Sequence, residues 1–322
     1  MPPTFAYGGQ ALMEGVLMRG PDAIGVALRR PDGMITWATE RLGTPLHRNR
    51  LARAPFVRGI VLLYDTLVIG TRWLMRSGAV AAAGQGVELG GRAVALTLLV
   101  TLVLAVGVFV LLPLFLAQAG VAAAGGGDQP ILQRLAEALI RVVLFVGYLL
   151  LVSRAAEVRR VFQYHGAEHM TIHAFEHRDP LTVDAIRRYP TAHPRCGTEF
   201  LVVFVIVSIV LFSLLATSDP LVAIGARIVL IPVIAAISYE LLRIGARYRD
   251  HVLVRWIFAP GIWLQRITTQ PPDDGMIEVA VASLREALRA NGQAAPEGSL
   301  DPPRVPLVPP MPPASLEPGA VA

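Results

Sequence analysis

The chain has 322 residues, of which 54% are hydrophobic and only 16% are charged, against roughly 25% in a typical soluble protein. This composition excludes an ordinary soluble domain and predicts that much of the chain lies in a lipid bilayer. The net charge is +5 and every basic residue is arginine, which in a membrane protein indicates topology and contact with anionic lipid headgroups, with no nucleic-acid partner.

The N-terminal part of the chain is predicted to lie outside the membrane. Residues 1–54 alternate short apolar segments with glycine and proline turn signals, which predicts a small β-containing cytoplasmic lobe. No apolar stretch typical of a cleavable signal peptide occurs there. Residues 55–92 are predicted to form an interfacial helix and a linker, because charged residues interrupt their apolar pattern.

The first predicted transmembrane hairpin covers residues 93–153. An uncharged stretch over 95–117 provides the about 20 apolar residues that a span requires, and Pro113 is expected to kink it. The second span, 131–153, carries charge in its first half. Glu137 and Arg141 are four residues apart there and can neutralise each other.

The second predicted hairpin covers residues 200–242, with spans over 200–218 and 221–242. The cytoplasmic loop between the hairpins, 154–199, contains seven arginines, whereas the tips of both hairpins contain none. The positive-inside rule therefore predicts a multi-pass protein of the inner (cytoplasmic) membrane with both termini in the cytoplasm.

The chain after the last span is predicted to have two parts. Residues 243–293 form cytoplasmic interfacial and amphipathic helices, because Ile277, Val281 and Leu284 recur on one helical face. Residues 294–322 are rich in proline, glycine and serine, which predicts a disordered tail. The predicted fold class is therefore mainly α, with about four transmembrane helices in two hairpins and a small N-terminal β-containing lobe.

A histidine-rich segment, YHGAEHMTIHAFEHRDP over residues 164–180, contains four of the seven histidines at four-residue spacing. His165 and His169 share one helical face with Cβ atoms about 5–6 Å apart, close enough to bind one zinc ion. With Glu168 they form the H-x-x-E-H pattern of inverted zincins, in which the glutamate is the general base. The alternative interpretation is a solvated helix that happens to be polar.

The pattern occurs a second time from His173 to His177, but one metal ion is expected to use only the first pair. Each four-residue step advances a side chain by about 40° around the helix, so His177 lies about 120° from His165. The second pair also runs into a proline that is expected to end the helix.

Three residues are candidates for a third metal ligand. His193 and Cys196 lie in the motif HPRCG, and zinc readily takes nitrogen and sulfur ligands. Glu240 lies near the cytoplasmic end of the fourth predicted span, where an ionisable residue is a functional hypothesis by default. The alternative for Cys196 is that it packs in the core as a small apolar side chain. The alternative for Glu240 is a salt bridge with Arg243 or Arg247. Arg195 is a candidate for stabilising developing oxyanion charge.

A second dense motif is GGQALMEGVLMRGP, residues 8–21, in which Gln10, Glu14 and Arg19 alternate with apolar residues. Its glycines would let backbone approach a ligand, but it lacks the lysine of a phosphate-binding loop. The alternative is a set of turns that holds the lobe in place. Neither this lobe nor residues 160–200 can build a large core alone, so we expect them to pack together.

Three segments, GGQALMEGVLMRGP, YHGAEHMTIHAFE and HPRCGTEFL, resemble the signature segments of the YqhQ-like family of bacterial polytopic membrane proteins. The resemblance runs from about residue 7 to residue 290. Members are described as predicted metal-dependent enzymes, so the resemblance implies a metal site. The residues that it marks are Gln10, Glu14, Arg19, His165, Glu168, His169, His193, Arg195, Cys196 and Glu240.

Two functions follow as hypotheses. The first is a zinc-dependent hydrolase at the cytoplasmic membrane face, in which zinc or another divalent metal lowers the pKa of a bound water to about 7 and Glu168 accepts its proton. The second is a non-enzymatic membrane scaffold that docks anionic lipid or a membrane-protein partner through its arginine-rich surface. A transporter is disfavoured, because the predicted spans carry little charge away from their ends.

Overall fold

The computed structural model describes residues 7–42, 54–82, 91–125, 129–193, 196, 198–214, 220–248 and 251–307. The strands are β1 (Gly8–Leu12), β2 (Gly15–Arg19), β3 (Ala23–Arg29), β4 (Ile35–Arg41) and β5 (Arg304–Pro306). The helices are α1 (Val57–Ala81), α2 (Gly91–Val106), α3 (Leu112–Ala123), α4 (Pro130–Val152), α5 (Ala156–Glu176), α6 (Val183–Ile186), α7 (Thr198–Ser213), α8 (Pro220–Arg247), α9 (Val252–Thr268) and α10 (Asp274–Ala290). The fold is thus mainly helical with an N-terminal β-sheet, as predicted.

The sheet has the order β1-β2-β3-β4-β5. The first four strands form an antiparallel meander, because short turns connect them. Helix α1 covers one face, where Leu12, Leu17 and Ile24 pack around Trp73. Helices α5 and α10 cover the other face. Because both faces of β2 and β3 are buried, these two central strands carry near-continuous apolar runs.

Strand β5 is a correction to the predicted disorder of residues 294–322. It pairs in parallel with β4, with Arg304 opposite Ile35. Arg304 also forms ion pairs with Asp301 and with Glu286 of α10, the latter at 2.8 Å between Nε and Oε1. The proline-rich composition of this segment could not predict the strand, because its pairing partners are distant in sequence. Residues 308–322, the rest of the predicted tail, lie outside the described part of the chain.

Among the described residues, three helical stretches are long and apolar enough to cross a membrane: Leu96–Ala123, Ile131–Val152 and Leu221–Gly245. Large apolar side chains stay exposed along them, including Leu102 and Leu139, as expected of surfaces that contact lipid. The remaining predicted span, 200–218, coincides with α7. This helix is apolar but has 16 residues, about 24 Å, and a bilayer core is about 30 Å thick. The predicted count of four is therefore not confirmed.

The first span contains a π-helical turn, Gly107–Leu111, between α2 and α3. Pro113, which was expected to kink this span, lies two residues after the end of the turn. A proline ring clashes with the carbonyl four residues earlier and cannot donate to it, and that carbonyl belongs to Phe109. Its oxygen instead accepts a hydrogen bond from Arg141 Nε of α4 at 3.1 Å. The two helices of this hairpin are therefore tied together at the turn.

Candidate metal centre

Helix α5 carries the histidine-rich segment and packs on β1, β2 and α10. It is helical to Glu176, so His165 and His169 lie one turn apart on one face, as predicted. Their ring centroids are 4.4 Å apart. His169 is buried and His165 is half-buried, which places the pair beneath the protein surface but within reach of a ligand.

Cys196, just before α7, meets this pair. Its Sγ lies 3.3 Å from Nε2 of His165. One ligand atom from each of His165, His169 and Cys196 lies within 4.8 Å of the other two, so these described residues could hold one metal ion. Two imidazole nitrogens and a thiolate are a donor set that suits zinc, and three protein ligands leave a fourth tetrahedral position for water or substrate.

Backbone carbonyls orient both imidazoles. Nδ1 of His165 lies 2.9 Å from the Thr268 carbonyl oxygen, and Nδ1 of His169 lies 2.6 Å from that of Thr191. Because a carbonyl can only accept, each Nδ1 carries a proton, and Nε2 of the neutral ring keeps its lone pair for a metal. Burial lowers the pKa of His169 to about 2, and electrostatic repulsion by the neighbouring His165 contributes to this shift. The His169 ring is therefore neutral at physiological pH.

Glu168 lies beside the three ligand candidates. Its Oε2 is 3.5 Å from Nε2 of His169, and its side chain is 5% exposed. Burial raises the pKa of Glu168 to about 7, while His165 and a hydrogen bond from the Gly9 backbone N–H act in the opposite direction. A carboxyl group with this pKa can both accept and return a proton near neutral pH.

Two glycines allow the surrounding backbone to come this close. A Cβ on Gly9 would lie 2.9 Å from Cγ of Glu168, and a Cβ on Gly166 would lie 2.2 Å from the Gln270 carbonyl oxygen. The second contact brings the chain after α9 onto α5, where Gln270 N donates to Phe162 O at 2.9 Å. This approach is what places the Thr268 carbonyl against His165.

The other predicted ligands, His193 and Glu240, are not among the residues whose ligand atoms converge. His193 is buried, with Nε2 3.4 Å from Oε2 of Glu176, and its ring is 5.7 Å from that of His169. It lies next to the cluster but is not among the three residues whose ligand atoms converge. Glu240 lies on α8, and its Oε1 accepts a hydrogen bond from the backbone N–H of Phe56 at 3.1 Å. Arg195 lies outside the described residues.

The N-terminal motif residues join the β lobe to the helices. Glu14 has a left-handed backbone (φ 55°), and its carboxylate binds Arg160 and the Tyr164 hydroxyl of α5. This confirms the predicted packing of the lobe on residues 160–200. Gln10 packs against Gly70 of α1, where an added Cβ would meet its Oε1 at 2.2 Å. Arg19 and Gln10 line an open cleft of about 100 Å³ between the sheet and α1.

Sequence reasoning missed the residues that act through their backbone. Thr191 and Thr268 contribute carbonyl oxygens, and Gln265 fixes His193 through two hydrogen bonds with its backbone, at 2.8 and 3.0 Å. No residue type signals a carbonyl acceptor, and Thr268 is 103 residues from its partner His165. Gly9 and Gly166 lie inside the motifs that were noticed, yet their role depends on which segment approaches them.

The fold and the site together define a helix-rich, membrane-embedded protein with a His/Cys cluster beside a buried carboxyl group. The family model described as "Protein of unknown function (DUF1385)" matches residues 54–290. The chain is also 35% identical over 303 residues to the uncharacterized protein YqhQ of Bacillus subtilis (strain 168), covering 88% of this chain and 92% of that relative. The chain therefore belongs to this family, as the resemblance predicted. No solved structure matches it.

Proposed function

We propose that this protein is a zinc-dependent hydrolase that acts at the cytoplasmic face of the inner membrane. The observation that supports it most is the convergence of one ligand atom each from His165, His169 and Cys196 within 4.8 Å. A bound divalent metal would supply Lewis-acid polarisation of a substrate oxygen and activation of water. A three-ligand set with an unused fourth position is typical of catalytic zinc, whereas structural zinc is held by four protein ligands.

In this proposal each residue of the site has its own role. Nε2 of His165, Nε2 of His169 and Sγ of Cys196 would hold the metal, and the carbonyl oxygens of Thr191 and Thr268 fix the orientation of the two rings. Glu168 accepts a proton from the attacking water and later returns it to the leaving group. Arg195, adjacent to Cys196 in sequence, is proposed to stabilise negative charge that develops on the substrate.

The exposed side chains of helix α9 favour a substrate that lies at the membrane surface. Its C-terminal residue Thr268 contacts His165. Nearer the start of the helix, the side chains of Trp256, Ile257 and Trp263 are exposed. Exposed tryptophans on an amphipathic helix are typical of the membrane interface. A substrate embedded in the bilayer or linked to lipid therefore fits this location.

Glu168→Gln tests the enzyme proposal. The variant should retain zinc, because Glu168 is not among the proposed ligands, but turnover should fall by about 10²–10⁴, the usual contribution of a general base. Zinc-loaded wild type and variant would each be incubated with extracted bacterial membranes, and untargeted mass spectrometry would detect species that have gained one water. Products that appear equally with both proteins contradict the role of Glu168. A wild type that holds no zinc favours the scaffold function instead.

The proposed orientation gives a labelling prediction. Asp184 is exposed on α6, in the arginine-rich loop, and Gln129 is exposed at the tip of the first hairpin. In a Cys196→Ser background, Asp184→Cys should react with a membrane-impermeant maleimide only after cell lysis. The matched variant Gln129→Cys should react in intact cells whose outer layers admit the reagent. Labelling of Asp184→Cys from outside would overturn the orientation.

A further inference from the structure

A charged cluster lies within the membrane hairpins, away from the metal centre. Glu137 and Arg141 of α4 and Arg227 of α8 are each less than 10% exposed. Glu137 Oε1 accepts from Arg141 Nη2 at 2.6 Å, and its Oε2 accepts from Arg227 Nη2 at 3.0 Å. One carboxylate thus serves two guanidinium groups that come from different hairpins.

Positive charge exceeds negative charge in this cluster. Arg134 lies one turn before Glu137 on α4, and both line a shallow, open cavity whose volume of about 10 Å³ has room for about one oxygen atom. Within the part of the chain that the structure describes, Arg134 has no hydrogen-bond or ion-pair partner, and Glu137 is the one acidic residue in the cavity lining. Three arginines therefore face one carboxylate, an excess of two positive charges.

The donors of these arginines are not all used. Nε of Arg227 is buried with no hydrogen-bond acceptor among the described residues. The guanidinium carbons of Arg141 and Arg227 lie 5.0 and 5.4 Å from the ring centroid of Phe212. Arg141 and Phe212 line the cavity, whereas Arg227 reaches it only through its contacts with Glu137 and Phe212. An aromatic ring stabilises the cations but accepts few of their N–H groups. Excess cations and unused donors in a low-dielectric environment are costly unless an acceptor anion joins them.

We propose that the open mouth of this cavity between α4 and α7 binds an oxyanion, with one oxygen in the cavity, namely the phosphate group of an anionic lipid or a soluble phosphate. Guanidinium groups match tetrahedral oxyanions through paired N–H donors, which favours phosphate over a halide. Arg134 is four residues from Pro130 at the start of α4, and a phosphate at the headgroup level of the bilayer can reach it there. The site is separate from the metal centre. Arg141 lies about 16 Å along α4 from the end of that helix, and α5, which carries the histidines, begins only after it.

Arg134→Gln tests the site, because removal of a side chain without partners among the described residues should leave the fold intact. Arg154→Gln is the matched control, since Arg154 is an exposed arginine beyond the opposite end of α4. Protein purified in neutral detergent would be titrated with phosphatidylglycerol, phosphatidylcholine or inorganic phosphate, with binding followed by native mass spectrometry and by Tm.

Wild type and Arg154→Gln should bind phosphatidylglycerol in preference to phosphatidylcholine, and Arg134→Gln should bind it about 10- to 100-fold more weakly. A rise in Tm with inorganic phosphate that disappears in Arg134→Gln would identify a soluble oxyanion as the ligand. Equal binding of both lipids by the wild type, without an effect of phosphate, overturns the proposal. Equal behaviour of Arg134→Gln and Arg154→Gln toward phosphatidylglycerol and phosphate overturns it as well.

Discussion

Replacement of His165 by alanine is expected to abolish zinc retention, whereas replacement of His177 is expected to leave it near wild type. His165 contributes one of three converging ligand atoms, with Nε2 3.3 Å from Sγ of Cys196. Loss of a group that hydrogen-bonds to a metal ligand lowers the affinity for the metal about 10- to 100-fold, and loss of a ligand itself should lower it more. Elemental analysis of purified protein after dialysis against a weak chelator measures the retained zinc.

His177 is a close control, because it lies on the same helical segment and the substitution removes the same side chain. It is exposed at the end of α5, where its Nδ1 lies 2.8 Å from the His173 carbonyl oxygen, away from the cluster. Equal zinc content in the two variants would show that the assignment is wrong. Cys196→Ser should resemble His165→Ala, since an alcohol oxygen is a far poorer zinc ligand than a thiolate.

Gly9→Ala is expected to lower both stability and metal retention, whereas Gly8→Ala is expected to change neither appreciably. An added Cβ at Gly9 would lie 2.5 Å from the Leu17 carbonyl oxygen and 2.9 Å from Cγ of Glu168. Neither neighbour can move far, because Leu17 is in the paired strand β2 and Glu168 is buried. Overpacking of this kind costs about 1–3 kcal/mol. Thermal unfolding and zinc analysis of the same samples measure both effects.

Gly8 precedes Gly9 in the same strand, and an added Cβ there meets no atom within 4 Å. The comparison therefore separates the intrinsic effect of alanine in β1 from the contact with the centre. If both variants unfold at the same temperature and hold the same zinc, the close approach of β1 to Glu168 does not support the site. A loss of stability without a loss of zinc would place the role of Gly9 in the sheet alone.

Local patterns were sufficient to predict the kinds of elements in this chain. Long apolar stretches, two of them interrupted by a few charges, predicted the three helices that are long enough to span a bilayer, because a span needs a fixed length of mainly apolar sequence. The four-residue spacing of His165 and His169 predicted that both would share one face of a helix, because helical geometry alone dictates that outcome. Alternating segments near the N-terminus likewise predicted strands.

The sequence by itself determined the adjacent pair His165 and His169 and the glutamate beside them, since all three lie within one helical turn and a half. It left Cys196, His193 and Glu240 as equal alternatives for a third ligand. Only the tertiary structure decided that Cys196 lies against His165 and that Glu240 lies against the start of α1. The physical reason is that contacts within a helix follow from its repeat, whereas contacts between distant segments depend on the packing of the whole chain, such as the close approach that Gly166 allows.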